Sequence, residues 1–130
     1  MRVINSVLEM KHWSKTHSDK PIAAVFTMGA LHRGHQELMT YARKWVKANK
    51  NQDCYVVASI FVNPTQFNNP TDLAKYPRSL GTDLEKCKAV GVDLVFVPTV
   101  EEMYPEGVAN AVLLDSGELK NTFEGKSRPG

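Results

Sequence analysis

The sequence has few cysteines. Its 130 residues include two, Cys54 and Cys87, and neither belongs to a C-x-x-C pair. This is not the pattern of a disulfide framework or of a cysteine-rich zinc site, and free thiols persist in a reducing compartment. We therefore expect a cytoplasmic protein whose two cysteines are buried and chemically inert.

A long apolar run and a surplus of one charge are also lacking. The longest apolar run, residues 55–62, is interrupted by Ser59 and is too short to cross a bilayer. The N-terminus becomes polar at Asn5, too early for a signal peptide. With 16 Lys and Arg against 14 Asp and Glu, the net charge is +2, which offers little attraction for nucleic acid or a membrane surface. The expected partners are therefore small molecules, with no nucleic acid and no membrane among them.

The sequence alternates between apolar runs and helical patterns. Hydrophobic residues make up 42% of the chain, which is enough for one domain with its own core. Three mainly apolar runs do not alternate with polar residues, which is typical of buried strands: residues 21–27, 55–62 and 93–97. Helices are predicted from His35 to about Asn51 and from about Leu80 to Gly91, with Ser79 or Thr82 as the N-cap of the second. A short strand at Val3 and Ile4 and a helix opening at Val7 precede them.

This order of elements predicts the fold class. Strands that alternate with helices form βαβ units, and buried runs indicate a parallel sheet covered on both faces. We expect an α/β fold with a Rossmann-like, doubly wound parallel sheet. After Pro98 the pattern weakens, with an edge strand at residues 111–114 and a short helix at residues 116–123. Ligands of such sheets bind beyond the carboxyl ends of the strands, which points to residues 27–35 and 63–76.

The first of these loops carries the strongest chemical signal. His32 and His35 flank Gly34 where a predicted strand gives way to a predicted helix. A helix N-terminus attracts anions such as phosphate, and a glycine lets the backbone approach a ligand closely. Imidazoles can donate hydrogen bonds to phosphate oxygens as charge builds up in a transition state. The pattern therefore favours nucleotidyl transfer.

Two other interpretations of these histidines stay open. Histidines three residues apart at a helix start are equally compatible with a capping or half-buried structural role. A zinc site is the second alternative, although no cysteine or acidic residue clusters nearby to complete a tetrahedral ligand set.

Five segments together resemble a known family. The H-R-G-H sequence of residues 32–35 is similar to the H-x-G-H signature of the nucleotidyltransferase superfamily. The surrounding segments resemble successive blocks of the pantoate–β-alanine ligase family, in order and over nearly the whole chain: TMGALHRGH (27–35), SIFVNPTQF (59–67), YPR (76–78), GVDLVF (91–96) and EGKSRPG (124–130). One short motif would discriminate poorly, but the ordered set is specific.

The resemblance implies a two-step, AMP-forming ligation. Pantoate would attack ATP to give pantoyl adenylate and pyrophosphate, and β-alanine would then displace AMP to give pantothenate, a coenzyme A precursor. His32 and His35 would contact the phosphates, with His35 as the proton donor. The ATP-binding stretch implied by the family comprises Met28, Gly29, Ala30, Leu31, His32, Arg33, Gly34 and His35. Magnesium would accompany ATP, and the family implies a homodimer.

The second predicted loop region contains the residues that, by resemblance, would bind the other substrates. By resemblance, Gln66 binds pantoate beside the incoming β-alanine, while Asn63 and Tyr76 line the same pocket. Asp83 matches a position associated with magnesium. Position alone favours simpler roles for three of these residues: Asn63 as a strand terminator, Tyr76 in a surface turn, and Asp83 as a first-turn helix acid stabilised by the helix dipole.

The sequence also departs from the family pattern. Phe26 stands where the family commonly has proline, and Arg33 where an acidic residue is frequent. The family's second phosphate-binding block, its serine-rich loop and its small C-terminal domain would lie beyond Gly130. We therefore interpret residues 1–130 as an incomplete N-terminal nucleotide-binding domain that lacks the C-terminal domain, and we expect little or no turnover from it alone.

Two alternative functions are kept. One is another H-x-G-H nucleotidyltransferase of the cytidylyltransferase type, which would use CTP and need no β-alanine. The other is a non-catalytic nucleotide-binding module that keeps only the scaffold. Fold alone does not decide among them.

Overall fold

The computed structural model describes residues 1–63 and 79–106, which divide between two compact units. The first unit comprises residues 1–61 and 79–98, and the second comprises residues 62–63 and 99–106. Each is considered by itself.

The first unit is built on a parallel sheet with flanking helices. Its strands are β1 (Arg2–Ile4), β2 (Ile22–Thr27), β3 (Tyr55–Ile60) and β4 (Leu94–Phe96). Its helices are α1 (Val7–Thr16), α2 (Arg33–Lys50) and α3 (Leu80–Ala89). The strand order is β1-β4-β3-β2, and every pair is parallel. The predicted α/β fold with a parallel sheet is confirmed.

Side-chain alternation along β3 divides the core between the two faces of the sheet. Val56, Ala58 and Ile60 belong to a cluster with buried residues of α2 and α3, including Met39. Val57 belongs to the cluster on the other side, with Trp13 of α1. Both faces are therefore covered at the centre of the sheet, because α1 packs on one and α2 and α3 pack on the other.

Burial of β2 differs from the prediction. Its apolar sequence predicts a strand covered on both faces, but Phe26 is 83% exposed and only Val25 and Thr27 are buried. The reason is position: within the described sheet β2 is the edge strand, and its only hydrogen-bonded neighbour is β3. An apolar run does not reveal whether a strand lies at the centre or at the edge of a sheet.

Helix ends follow local chemistry only in part. Asn51 ends α2 in the left-handed conformation at φ 51°, which asparagine tolerates better than most residues. Ser79 is the N-cap of α3, but its side chain makes no capping bond and its hydroxyl donates to Asp83 at 3.3 Å. The alternative prediction of Thr82 as the N-cap is wrong, because Thr82 lies inside the helix.

The second unit is small in the described part of the chain. A one-turn helix, α4 (Val100–Met103), begins at Thr99, whose hydroxyl accepts from the Glu102 N–H at 3.2 Å. The strand and helix predicted at 111–114 and 116–123 lie outside the described residues. Among the helices of residues 1–63 and 79–106, none has both the length and the apolarity needed to span a membrane.

Candidate functional site

The loop between β2 and α2 leaves the carboxyl edge of the sheet. Thr27 is the last residue of β2 and lies opposite Ile60, the last residue of β3. The Thr27 hydroxyl donates to the carbonyl of Ser59 at 2.9 Å and accepts from the Gly29 N–H at 3.2 Å. One buried side chain thus ties the start of the loop to both strands.

The loop then turns through two left-handed residues. Gly29 has φ 83° and Ala30 has φ 52°, the latter unusual for a residue with a Cβ. The N–H groups of Ala30 and Leu31 both point at Asp83 of α3, at 3.0 Å to Oδ2 and 2.8 Å to Oδ1. Successive N–H groups in this conformation form a concave anion site, and here the anion is the side chain of Asp83.

The two predicted histidines meet at the start of α2. His32 is the N-cap, and its Nδ1 accepts from the Gly34 N–H at 3.0 Å. The His32 N–H in turn donates to Nδ1 of His35 at 3.1 Å, and the ring centroids are 4.1 Å apart. The capping interpretation of this pair is confirmed, and His32 stays exposed while His35 is half-buried.

Capping sets the tautomer of both rings. An Nδ1 atom that accepts a hydrogen bond carries no proton, so the proton of the neutral imidazole sits on Nε2. Each histidine therefore keeps one N–H donor that its capping bond does not use. Capping occupies one side of each ring and leaves Nε2–H for a ligand, so the two interpretations are compatible.

The neutral form of His35 is favoured by its surroundings. Its pKa is lowered from 6.5, chiefly because partial burial disfavours the charged ring and next because of the neighbouring His32. Asp83 acts in the opposite direction, and Lys86 lowers the pKa further. At neutral pH His35 is therefore a hydrogen-bond donor without a full positive charge.

Gly34 is required by the ring of His32. A Cβ at position 34 would lie 2.8 Å from Cε1 and 3.0 Å from Nδ1 of His32. The sequence predicts that the backbone at this glycine approaches a ligand closely. In the structure, the group that lies close to it is the capping imidazole of His32. Any larger residue would displace the first histidine.

Helix α3 braces the same loop, which the sequence did not indicate. Lys86 donates from its amine to the carbonyl of Leu31, and Gln36 of α2 donates from its side-chain amide to the carbonyl of Lys86 at 3.0 Å. Lys86 has the periodicity of an ordinary surface helix residue and no motif around it. Only the packing of α3 beside the loop brings it there.

The remaining predicted site residues belong to the second unit or fall outside the described residues. Asn63 belongs to the second unit, where its Oδ1 accepts from the hydroxyl of Tyr104 at 3.0 Å. Gln66 and Tyr76 lie outside the described residues, so their implied roles stay predictions. Among residues 1–63 and 79–106, no three His, Cys, Asp or Glu side chains cluster to hold a metal ion, and the zinc alternative gains no support.

The side chains of Arg33 and Phe26, the two residues that depart from the family pattern, are both exposed to solvent. The Arg33 guanidinium pairs with Glu37 one turn along α2 at 3.1 Å, and its side chain is 90% exposed. Phe26 lies on the open side of β2. Neither residue takes part in the cap made by His32 and His35.

Comparisons with known proteins agree with these motifs. A sequence model of the family described as pantoate-beta-alanine ligase matches residues 2–130. Pantothenate synthetase of Aliivibrio fischeri is 48% identical over 122 residues, which is 94% of this chain and 39% of that protein. The pantoate–beta-alanine ligase of Schizosaccharomyces pombe is 45% identical over 122 residues, again 94% of this chain and 40% of that protein.

Solved structures give the same result. The pantothenate synthetase of Thermus thermophilus superposes with a TM-score of 0.70 at 39% identity, over 100% of this chain and 43% of that one. The Francisella tularensis enzyme, solved with beta-gamma ATP and beta-alanine, superposes with a TM-score of 0.72 at 37% identity, over 100% and 47%. This chain spans about two-fifths of the length of the curated relatives it matches. On sequence and fold together, the chain belongs to the pantoate–β-alanine ligase family.

Proposed function

We propose that this chain carries the ATP-binding loop of an AMP-forming ligase that joins pantoate to β-alanine. The observation that carries the proposal is the pair of histidines at the start of α2, each with Nδ1 engaged in the cap. Membership of the family supports the choice of reaction, and the Francisella relative was solved with an ATP compound and β-alanine.

The donors of this loop suit a triphosphate. The Nε2–H groups of His32 and His35 donate to phosphate oxygens, joined by the first-turn N–H groups of α2 that the histidine cap does not use. A lowered pKa keeps the ring of His35 neutral near pH 7, so this histidine contributes a hydrogen bond, and the helix dipole adds a partial positive charge beside it. Donors held in place before the reaction cost little reorganisation when charge moves onto the leaving pyrophosphate.

The proposed reaction has two steps. A carboxylate oxygen of pantoate forms a bond to the α-phosphorus of ATP, and the bond from that phosphorus to pyrophosphate breaks. The β-alanine amine then attacks the acyl carbon of the adenylate, AMP leaves with the former carboxylate oxygen, and the nitrogen loses one proton to solvent as the amide forms. In this scheme the neutral ring of His35 donates a hydrogen bond from Nε2–H to the phosphates and keeps its proton, and Gln66, Asn63 and Tyr76 bind pantoate and β-alanine.

Magnesium is proposed as the partner of ATP, since the charge of a triphosphate must be countered. The described residues do not fit a protein-held ion at Asp83, because both carboxylate oxygens accept backbone N–H groups and the side chain is 1% exposed. No step is assigned to a metal at that position. A homodimer in the cytoplasm completes the proposal and rests on the family alone.

Binding is tested by nuclear magnetic resonance on the 130-residue chain. Titration with ATP should shift the backbone amides of residues 29–36 and the Nε2 signals of both histidines in a saturable way. CTP at equal concentration should shift them less. His35→Ala and His32→Ala should each weaken ATP binding by about tenfold, the loss of a hydrogen bond to a charged group, whereas His12→Ala on the exposed side of α1 should not.

Several outcomes would contradict this proposal. Stronger binding of CTP favours the cytidylyltransferase alternative. Shifts confined to residues away from the loop would exclude the histidines as phosphate donors.

Catalysis is tested by pantoate-dependent exchange of pyrophosphate into ATP. We expect slow or undetectable exchange from residues 1–130 alone, since they span about two-fifths of the length of the relatives they match. In a relative of full length, substitution of the residue equivalent to His35 should abolish exchange. Unchanged exchange there would support the non-catalytic interpretation of the loop.

A further inference from the structure

Asp83 is a buried carboxylate that the proposed reaction does not use. It lies in the first turn of α3 and is 1% exposed. Its carboxylate accepts three hydrogen bonds: from the Leu31 N–H at 2.8 Å and the Ser79 hydroxyl at 3.3 Å on Oδ1, and from the Ala30 N–H at 3.0 Å on Oδ2. A buried carboxylate that accepts these three hydrogen bonds has few lone pairs left to bind a ligand.

The N–H groups of Ala30 and Leu31 belong to the part of the loop whose backbone conformation is energetically least favourable by itself. Ala30 has φ 52°, where the Cβ of an L-residue crowds the backbone, and Gly29 has φ 83°. Such a conformation persists only when its surroundings impose it. Two charge-assisted hydrogen bonds to one carboxylate provide that constraint.

Space around Gly29 shows how closely the carboxylate approaches. A Cβ at this position would lie 3.2 Å from Oδ2 of Asp83 and 3.3 Å from Cγ2 of Ile60. Glycine at position 29 therefore leaves room for the side chain of Asp83 and also tolerates the positive φ. Lys86, one turn later on α3, donates to the Leu31 carbonyl. Helix α3 therefore holds both the N–H and the carbonyl of Leu31.

We propose that Asp83 is a positioning residue for the two histidines: its carboxylate holds the N–H groups of Ala30 and Leu31, and the turn so fixed sets the direction in which His32 enters α2. The negative charge matters because both oxygens of an ionised carboxyl group are strong acceptors, and hydrogen bonds to a charged acceptor are stronger than those to a neutral one. This deepens the proposed function, since the histidines it positions are those assigned to ATP.

The matched variants are Asp83→Asn and Glu85→Gln. Both change an acid to its amide on α3, but Glu85 is exposed and serves as the control. The asparagine amide presents an NH₂ group where Asp83 has an oxygen, so one of the two loop N–H groups loses its acceptor. In D83N, without nucleotide, at least one of the Ala30 and Leu31 amide protons should shift upfield and exchange at least tenfold faster with solvent, and the imidazole nitrogen signals of His32 and His35 should move.

Nucleotide affinity is measured separately. ATP should bind D83N about tenfold more weakly than the parent chain, as expected for one lost charge-assisted hydrogen bond, and E85Q should match the parent. If ATP does not bind the parent chain, the proposed function is contradicted. The role of Asp83 is still tested in that case, because the amide shifts and exchange rates of Ala30 and Leu31 are measured without nucleotide.

Two results would overturn the positioning role. One is unchanged amide shifts and exchange at Ala30 and Leu31 in D83N. The other is selective broadening of signals around Asp83 by Mn²⁺ in the free parent chain, lost in D83N, which would assign the carboxylate to a metal. If D83N does not fold, exchange in the parent decides: slow exchange of both amides supports the role, and fast exchange overturns it.

Discussion

The backbone N–H of His32 donates to Nδ1 of His35 at 3.1 Å, so the second histidine of the motif holds the first in place. The ring of His32 accepts from Gly34 in return. Spacing of three residues therefore has a geometric reason in this protein: it is the distance over which an N-cap and the third residue of a helix can bond to each other.

This reciprocal cap predicts that stability depends on pH through His35. Because the pKa of His35 in the folded chain lies below 6.5, the unfolded chain binds more protons in the range just below that value. The free energy of unfolding should be highest above pH 6.5 and should fall as the pH drops below it. Urea unfolding across this range should show the fall, His35→Gln should reduce it, and His12→Gln should leave it unchanged; an equal fall in H35Q would contradict the assignment.

Gly34→Ala should separate stability from binding. The new Cβ would displace the ring of His32 and break its bond to the Gly34 N–H, which costs about 1 kcal/mol. Alanine favours the helix over glycine by about 1 kcal/mol, so the net change in the free energy of unfolding should be small.

ATP binding by G34A, in contrast, should fall sharply because the Nε2–H of His32 is moved. Gly81→Ala is the control, since nothing lies within 4 Å of a Cβ there and α3 should gain up to about 1 kcal/mol. Urea unfolding and ATP titration measure the two effects. Normal ATP affinity in G34A would show that the position of His32 is unimportant.

Both cysteines should resist thiol reagents in the folded chain. Burial raises the pKa of Cys54, and burial together with Asp83 raises the pKa of Cys87 to about 11. Very little thiolate is therefore present near neutral pH, and both side chains are buried. A chromogenic disulfide reagent should react with two thiols in urea and with almost none in buffer; rapid reaction in buffer would contradict the burial of these residues.

Arg43 should contribute more to stability than the exposed Arg33 of the same helix. One terminal nitrogen of its guanidinium group donates to Asp53 and the Cys54 carbonyl, and the other donates to Asp93 and the Gly91 carbonyl, all at 2.8–2.9 Å. Lysine cannot reproduce this fork.

Arg43→Lys should lower the free energy of unfolding by about 1–2 kcal/mol, allowing for solvent screening of a partly exposed group. Arg33→Lys, at an exposed ion pair of the same helix, should change it by less than about 0.5 kcal/mol. Urea unfolding compares the two variants. Equal effects would show that the network is no stronger than a surface pair.

Phe26 should contribute to association rather than to stability. It is 83% exposed beside other exposed apolar side chains of β2 and α2, namely Ile22, Leu38, Tyr41 and Trp45. Phe26→Thr places a β-branched residue in the strand, so stability should change by less than about 0.5 kcal/mol. Binding of a hydrophobic dye and self-association at high concentration should both decrease; a large loss of stability would show that Phe26 is packed.

Most of the first unit was predictable from sequence because its elements are local. Apolar runs and the helical periodicity of Leu38, Met39 and Ala42 predicted β2, β3, β4 and α2 to within a few residues, and an alternating order of such elements leaves few topologies. Burial of β2 was not predictable, because edge and centre are decided by which strands pair. The one-turn helix at Val100 is too short to produce a periodic signal.

For the candidate site, the histidines and glycines were visible as a motif, but their partners were not. Nothing near Asp83 or Lys86 in the sequence links them to a loop some fifty residues earlier. Residue types and spacing along one segment determined that imidazoles, glycine and a helix start coincide, since those contacts span only three residues. Which carboxylate would hold the turn, and that it would face backbone N–H groups, was decided only when the sheet placed α3 beside the loop, because contacts over long separations depend on packing that no local pattern records.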